Sequence, residues 1–150
     1  MTHSWLRLSA AVLSLLIFAP LGIAQTRMSD KDVENMMKNL KDDAGNFRSS
    51  FNSAVGKSTI RGTDQEKQAK TLVQNFQKQT EVMLDHFKDK KKADTEFASV
   101  RSSADEIDKL LAATPMGDKV ASSWSKVKSE LGTISGAFGV EGQPATTTAK

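Results

Sequence analysis

Apolar side chains recur four and three positions apart through most of this chain, and no other feature restricts the fold as strongly. Val33, Met37, Leu40, Ala44, Phe47, Phe51 and Ala54 hold the rhythm without interruption. An α-helix turns once every 3.6 residues, so the spacing lines all of them along one stripe, whereas a half-buried strand needs a period of two. A second stripe runs through Ala69, Val73, Phe76, Thr80, Met83 and Phe87, and a third through Ala93, Phe97, Val100, Ala104, Ile107 and Leu111. Val120, Trp124, Val127, Leu131, Ile134 and Phe138 make a fourth. No segment alternates with period two over a useful length, so an all-α fold is expected. Four amphipathic helices with short connections predict an antiparallel four-helix bundle in up-down-up-down order. The heptads are too few and too interrupted for a long coiled-coil rod.

Local signals set the expected boundaries at residues 30–55, 63–88, 93–113 and 115–138. Ser29 stands at an N-cap position, with Asp30 and Asp32 in the first turn where they favour the helix dipole. Gly56 and Gly62 bracket the first connection, and Thr63-Asp64-Gln65-Glu66 reads as a capping box. Thr114 and Pro115 mark the last boundary, threonine as a cap and proline at the first helical position. The joint at residues 88–92 (Lys-Asp-Lys-Lys-Lys) has neither glycine nor proline. Helices 2 and 3 merged into one are therefore the alternative, about 75 Å long at 1.5 Å per residue. A break is favoured, because Phe87 and Ala93 interrupt the spacing and the charge reverses from the lysines to Asp94 and Glu96.

Residues 1–24 have the layout of a secretory signal peptide. Arg7 gives a positive start, residues 8–19 an apolar run, Pro20 a helix break, and Gly22-Ile23-Ala24 small residues before the cut. The apolar run falls short of the roughly 20 residues that a membrane span needs. Cleavage is expected after Ala24 and a secreted or periplasmic location follows. The bundle domain would then occupy residues 25–140, with residues 141–150, which lack periodicity, as a disordered tail. Losing Arg7 with the leader takes one from a formal charge of only +3, too small an excess for a nucleic-acid binder.

The residues for common chemistries are missing or misplaced. The chain has no cysteine, which removes thiolate metal sites, disulfides and cysteine nucleophiles. Gly56-Lys57-Ser58-Thr59 resembles the end of a phosphate-binding P-loop, but Phe51 stands where its first glycine belongs and a helix, not a strand, precedes it. Beyond the leader there is one histidine, His86, with Met83 three residues before it, so paired Glu-x-x-His motifs for two metals cannot be built. No Gly-x-Ser-x-Gly elbow exists to present a nucleophile. Asp105, Glu106 and Asp108 read as a solvated helix face. No catalytic residue and no cofactor are expected, and the chain reads as a non-enzyme.

Three further constellations carry alternatives. In an antiparallel hairpin turning near Thr59, Met36 and Met37 lie level with the segment around Met83 and His86. Thioethers with an imidazole suit Cu(I) or haem. The segment Asp32-Val-Glu-Asn-Met36 resembles the first helix of the cytochrome b562 family, whose methionine ligates haem b. That resemblance implies haem b, and together with the ligand chemistry it makes a copper or haem b carrier using Met36 or Met37, Met83 and His86 the alternative. It departs from the family in the last helix, because residues 118–138 have no histidine. Lys88, Lys90, Lys91 and Lys92 supply a candidate contact for an anionic membrane surface, although acids are interleaved on the same helices.

The last helix has a small rather than a charged polar face. Ser125, Ser129, Gly132 and Gly136 make it a candidate interaction surface for an unknown protein partner or for self-association. Its competing reading is a helix that frays after Leu131. The function expected from the whole is that of a small exported, non-catalytic helical bundle, acting as a binding, adaptor or envelope-associated protein.

Overall fold

The computed structural model describes residues 28–138, and the leader and the tail lie outside the described residues. Four helices follow one another: α1 Asp30–Val55, α2 Asp64–Lys90, α3 Asp94–Ala113 and α4 Asp118–Ala137. They form the expected antiparallel bundle, all helical among the described residues. The backbone of α1 packs against α2 and α4, and that of α2 against α3. The fourth seam, between α3 and α4, is the loosest and is bridged by side chains.

The stripes make the core. Met37, Leu40, Phe47 and Phe51 from α1, Val73, Phe76 and Met83 from α2, Phe97, Val100 and Ile107 from α3, and Trp124, Val127 and Ile134 from α4 are all buried. Burying such side chains contributes about 1.5–3 kcal/mol each against leaving them in water. In proteins helical stability comes mostly from tertiary packing of an amphipathic face, and the shared apolar interior holds all four helices. Phe47 and Phe76 both pack on the Trp124 ring, at 4.7 and 5.5 Å between centroids, so three helices meet on one indole.

The caps explain where the helices start. Ser29 Oγ accepts from the Asp32 amide at 3.2 Å, and Thr63 Oγ1 from the Glu66 amide at 3.4 Å. The Glu66 carboxylate reaches past the cap to the Gly62 amide, at 2.6 Å, which is possible because Gly62 has a left-handed φ of 76°.

Helices 2 and 3 are not merged. The chain turns at Lys91, whose φ of 54° and ψ of 24° place it in the left-handed region, and its amide still donates to Phe87 O. A lysine thus fills the position that usually goes to glycine. Ala93, read as the first residue of the third stripe, is the residue before α3, yet it is buried.

Three sequence expectations are corrected in detail. The last helix begins at Asp118, not at residue 115: Thr114 ends α3, and Gly117, with φ 85°, is the N-cap of α4. Val55 replaces Ala54 at the end of the first stripe, because a strict seven-residue repeat drifts by about 20° per heptad on a straight helix. Ser135, which is not part of the fourth stripe, is nevertheless buried and donates to Leu131 O at 2.8 Å.

Candidate functional site

Trp124 sits where the bundle is least closed. It projects from the second turn of α4 toward α3, and its Nε1–H donates to Asp108 Oδ1 at 2.8 Å. The same oxygen accepts from Lys128 Nζ at 3.1 Å. Lys128 is one helical turn beyond Trp124, so a single carboxylate of α3 holds two donors that share a face of α4. Of the acidic cluster Asp105, Glu106 and Asp108, one member therefore ties helices together rather than merely meeting solvent. The signal was legible in principle: Asp108 falls next to the core position Ile107, on the flank of the stripe.

Around this tie lies a cleft of about 500 Å³, bounded by α3, α4 and their connection. Leu111, Pro115, Met116, Val120 and Trp124 give it an apolar lining, and Asp108, Ser125 and Lys128 stand among the polar groups beside them. Leu111 was expected to complete the third stripe. It is only partly buried because the seam it faces does not close. A volume of this size, between helices of a bundle and with few polar groups, matches the usual form of a binding pocket, roughly 300–1,000 Å³.

The histidine and the methionines go to different places. Met37 and Met83 are wholly buried in the core, and Met36 is partly buried against it. Met36 shares its flank of α1, by sevens, with Asp43 and Ser50, which line a groove toward α4. His86 is exposed and points the other way. Its Nδ1 lies 2.6 Å from Glu96 Oε1 of α3. A carboxylate only accepts, so Nδ1 carries the proton of that contact. The pair clasps the α2–α3 turn from outside. No group of three or more histidine or acidic side chains among the described residues is arranged to hold a metal ion.

The lysine run is divided as well. Lys91 lies over the Phe87 ring at 5.7 Å and 4.0 Å from Glu34, while Lys88 pairs with Asp85 at 3.7 Å. Glu34 is held below the usual carboxylate range, first by its hydrogen bond to Lys38 and further by the fields of Lys38, Lys91 and Lys88, against some desolvation. Lys90 and Lys92 are exposed. No helix among the described residues is long and apolar enough to cross a membrane.

On α4, Ser125, Ser129, Gly132 and Gly136 are all exposed, and a methyl group added at either glycine would touch nothing. The face is therefore open to solvent rather than used for close packing inside the bundle. The chain matches no protein-family model, and neither the curated proteins nor the solved structures yield a match.

Proposed function

We propose that this chain is a small exported helical bundle that acts by binding rather than by catalysis, and that the α3–α4 cleft receives an apolar side chain of a protein partner. The observation that supports this reading is the loose seam over Trp124. Three seams of the bundle close by backbone approach, and the fourth leaves a lined cleft of about 500 Å³ beside an indole. An apolar hollow bordered by an aromatic ring and a few placed polar groups is the usual form of a site that receives a partner's side chain. Export and the role of adaptor or envelope-associated protein rest on the leader-like residues 1–24 and on the lack of a convergent polar constellation in the sequence.

The test uses Trp124 as its own reporter. Only one other tryptophan, Trp5, is present, and Trp5→Phe removes it. N-acetyl-phenylalanine amide and N-acetyl-leucine amide, as stand-ins for a partner side chain, are titrated while the indole N–H resonance and the amides of Leu111, Met116 and Val120 are followed. Saturable shifts confined to these positions, and lost in the cleft-filling variant Ala121→Trp, support the reading. Shifts scattered over the bundle, or none, overturn it.

A further inference from the structure

A second depression runs along the opposite flank of α4, and its chemistry differs from that of the cleft. It consists of two adjoining hollows between α1 and α4, each about 290 Å³, which share Ser50 and Lys119. Lys57 borders one hollow and Lys126 the other. Among the described residues none of these three lysines makes an ion pair, whereas Lys38, Lys67, Lys70 and Lys128 each do. Asp43 is the one acid in the lining, at the Lys126 end. Ser53 and Ser123 donate to backbone carbonyls of their own helices and Ser58, in the first connection, donates to Val55 O, whereas Ser50, Ser122 and Asn46 are left to hydrogen-bond outward.

We propose that this groove docks an acidic peptide segment of a protein partner. Charge complementarity identifies the occupant: three lysines without an ion pair border a concave, hydroxyl-lined surface, against Asp43 in its lining and Glu130 near Lys126. Lys119 and Lys126 are two turns apart on one helix, about 10 Å at 1.5 Å per residue. A polyproline II segment has three residues per turn and rises about 3.1 Å per residue, so acids three positions apart share one face and span nearly the same distance. Next to Lys57 the floor turns apolar, with Ala54, Pro115, Met116 and Val120, which suits one aliphatic side chain among the acids. A flat bilayer fits poorly, because the surface is concave and the exposed large apolar residues, Met28 and Val82, do not border it. The two depressions meet at Pro115, Met116 and Val120, but Lys57, Lys119 and Lys126 border the groove and not the α3–α4 cleft, so the lysine variants below test the groove by itself.

The experiment measures fluorescence anisotropy of a short fluorescein-labelled peptide of glutamates and leucines on the full chain at low salt. Lys57→Ala with Lys119→Ala removes two of the three lysines and is expected to weaken binding about tenfold. The charge-matched control, Lys31→Ala with Lys109→Ala, removes two lysines outside the groove and is expected to bind as the parent does. Charge reversal at Lys119→Glu changes the groove by the same two units of charge and is expected to weaken binding at least tenfold, with the helical circular dichroism of every variant unchanged. Equal loss in the control, which marks diffuse attraction, overturns the proposal, as does a peptide that does not bind the parent chain. Vesicles of phosphatidylglycerol and phosphatidylcholine that bind with the same lysine dependence when the peptide does not would also overturn it, in favour of a membrane.

Discussion

Trp124 of α4 donates its indole N–H to Asp108 of α3 at 2.8 Å, and this hydrogen bond crosses the seam that backbone packing leaves loose. Truncating either partner has a different consequence. Asp108→Ala strands a half-buried donor, which costs about 1–3 kcal/mol where no water replaces the acceptor. Trp124→Phe removes the donor but leaves the carboxylate to Lys128 and solvent, and it also loses ring contact with Phe47 and Phe76. A double-mutant cycle of the two changes, read by urea unfolding, is expected to give a coupling of about 1 kcal/mol. Strict additivity would mean that the tie contributes nothing to closing the seam.

Lys91 turns the chain between α2 and α3 with a positive φ of 54°. An L-residue in that region carries a backbone cost of about 1–2 kcal/mol that glycine avoids. The side chain gives back part of it through its place over Phe87 and its distant pairing with Glu34. An exposed pair of this kind contributes well under 1 kcal/mol. Lys91→Gly is therefore expected to raise the thermal midpoint, by an amount equivalent to roughly 0.5–1 kcal/mol. A lower midpoint would show that the lysine contacts outweigh the backbone cost.

Why the sequence revealed the stripes but not the ties follows from how each is encoded. A stripe is periodic, so each member supports the next, and even Thr80 is correctly placed in the core by its neighbours; its hydroxyl donates to Gln77 O at 2.6 Å. Leu84, buried one residue beyond Met83, and Ile60, buried in the first connection, belong to no heptad position and left no such trace. The contacts His86–Glu96 and Trp124–Asp108 depend on how two helices are rotated against each other, and no spacing along one chain carries that information. The α4 start at Asp118 was hidden for a related reason. Thr114 and Pro115 are equally good at ending one helix and at beginning the next, and only the φ of 85° at Gly117 decides between them.

Two glutamates are expected to tilt the pH dependence of stability in opposite directions. Glu66 is held below the usual carboxylate range, first by its hydrogen bond to Lys70 and then by the Gly62 amide. Its contribution is complete above the ordinary glutamate pKa and is lost as pH falls through the lower folded value. Glu130 is pushed up by burial and by Asp43, with Lys126 opposing. There the protonated form suits the fold: the benefit is complete below the unfolded pKa and is lost as pH rises through the raised folded value. Thermal midpoints measured across the acid range should therefore show Glu66→Gln flattening the acid limb. Glu130→Gln should instead exceed the parent at neutral pH and converge with it in acid. A Glu130→Gln midpoint below the parent's at neutral pH would contradict the sign assigned to that residue.

The end of α4 bears on the competing reading of a helix that frays after Leu131. The helix continues to Ala137, with Ile134 and Ser135 buried, and Phe138 stacks on Phe97 with 5.0 Å between ring centres. Phe87 meets the same ring edge-on at 6.5 Å, so Phe138 closes the end of the bundle where α2 finishes and α3 starts. Aromatic pairs in such geometries contribute about 0.5–1.5 kcal/mol beyond the area they bury. Gly132 and Gly136 lower the intrinsic helicity of this segment by about 1 kcal/mol each relative to alanine, so packing rather than propensity holds it. Phe138→Ala is expected to cost about 2 kcal/mol, half of the usual loss for a fully buried phenylalanine, because the ring is only partly covered. Hydrogen exchange should localise the effect, with protection falling at Ile134, Ser135 and Gly136 while Val120 to Val127 keep theirs. In a second variant, Gly132→Ala with Gly136→Ala, both sites have open space for the added methyl groups. It should restore protection at the end of α4 without restoring the contact to Phe97. If Phe138→Ala leaves exchange at Ile134 unchanged, the ring is not what anchors the helix.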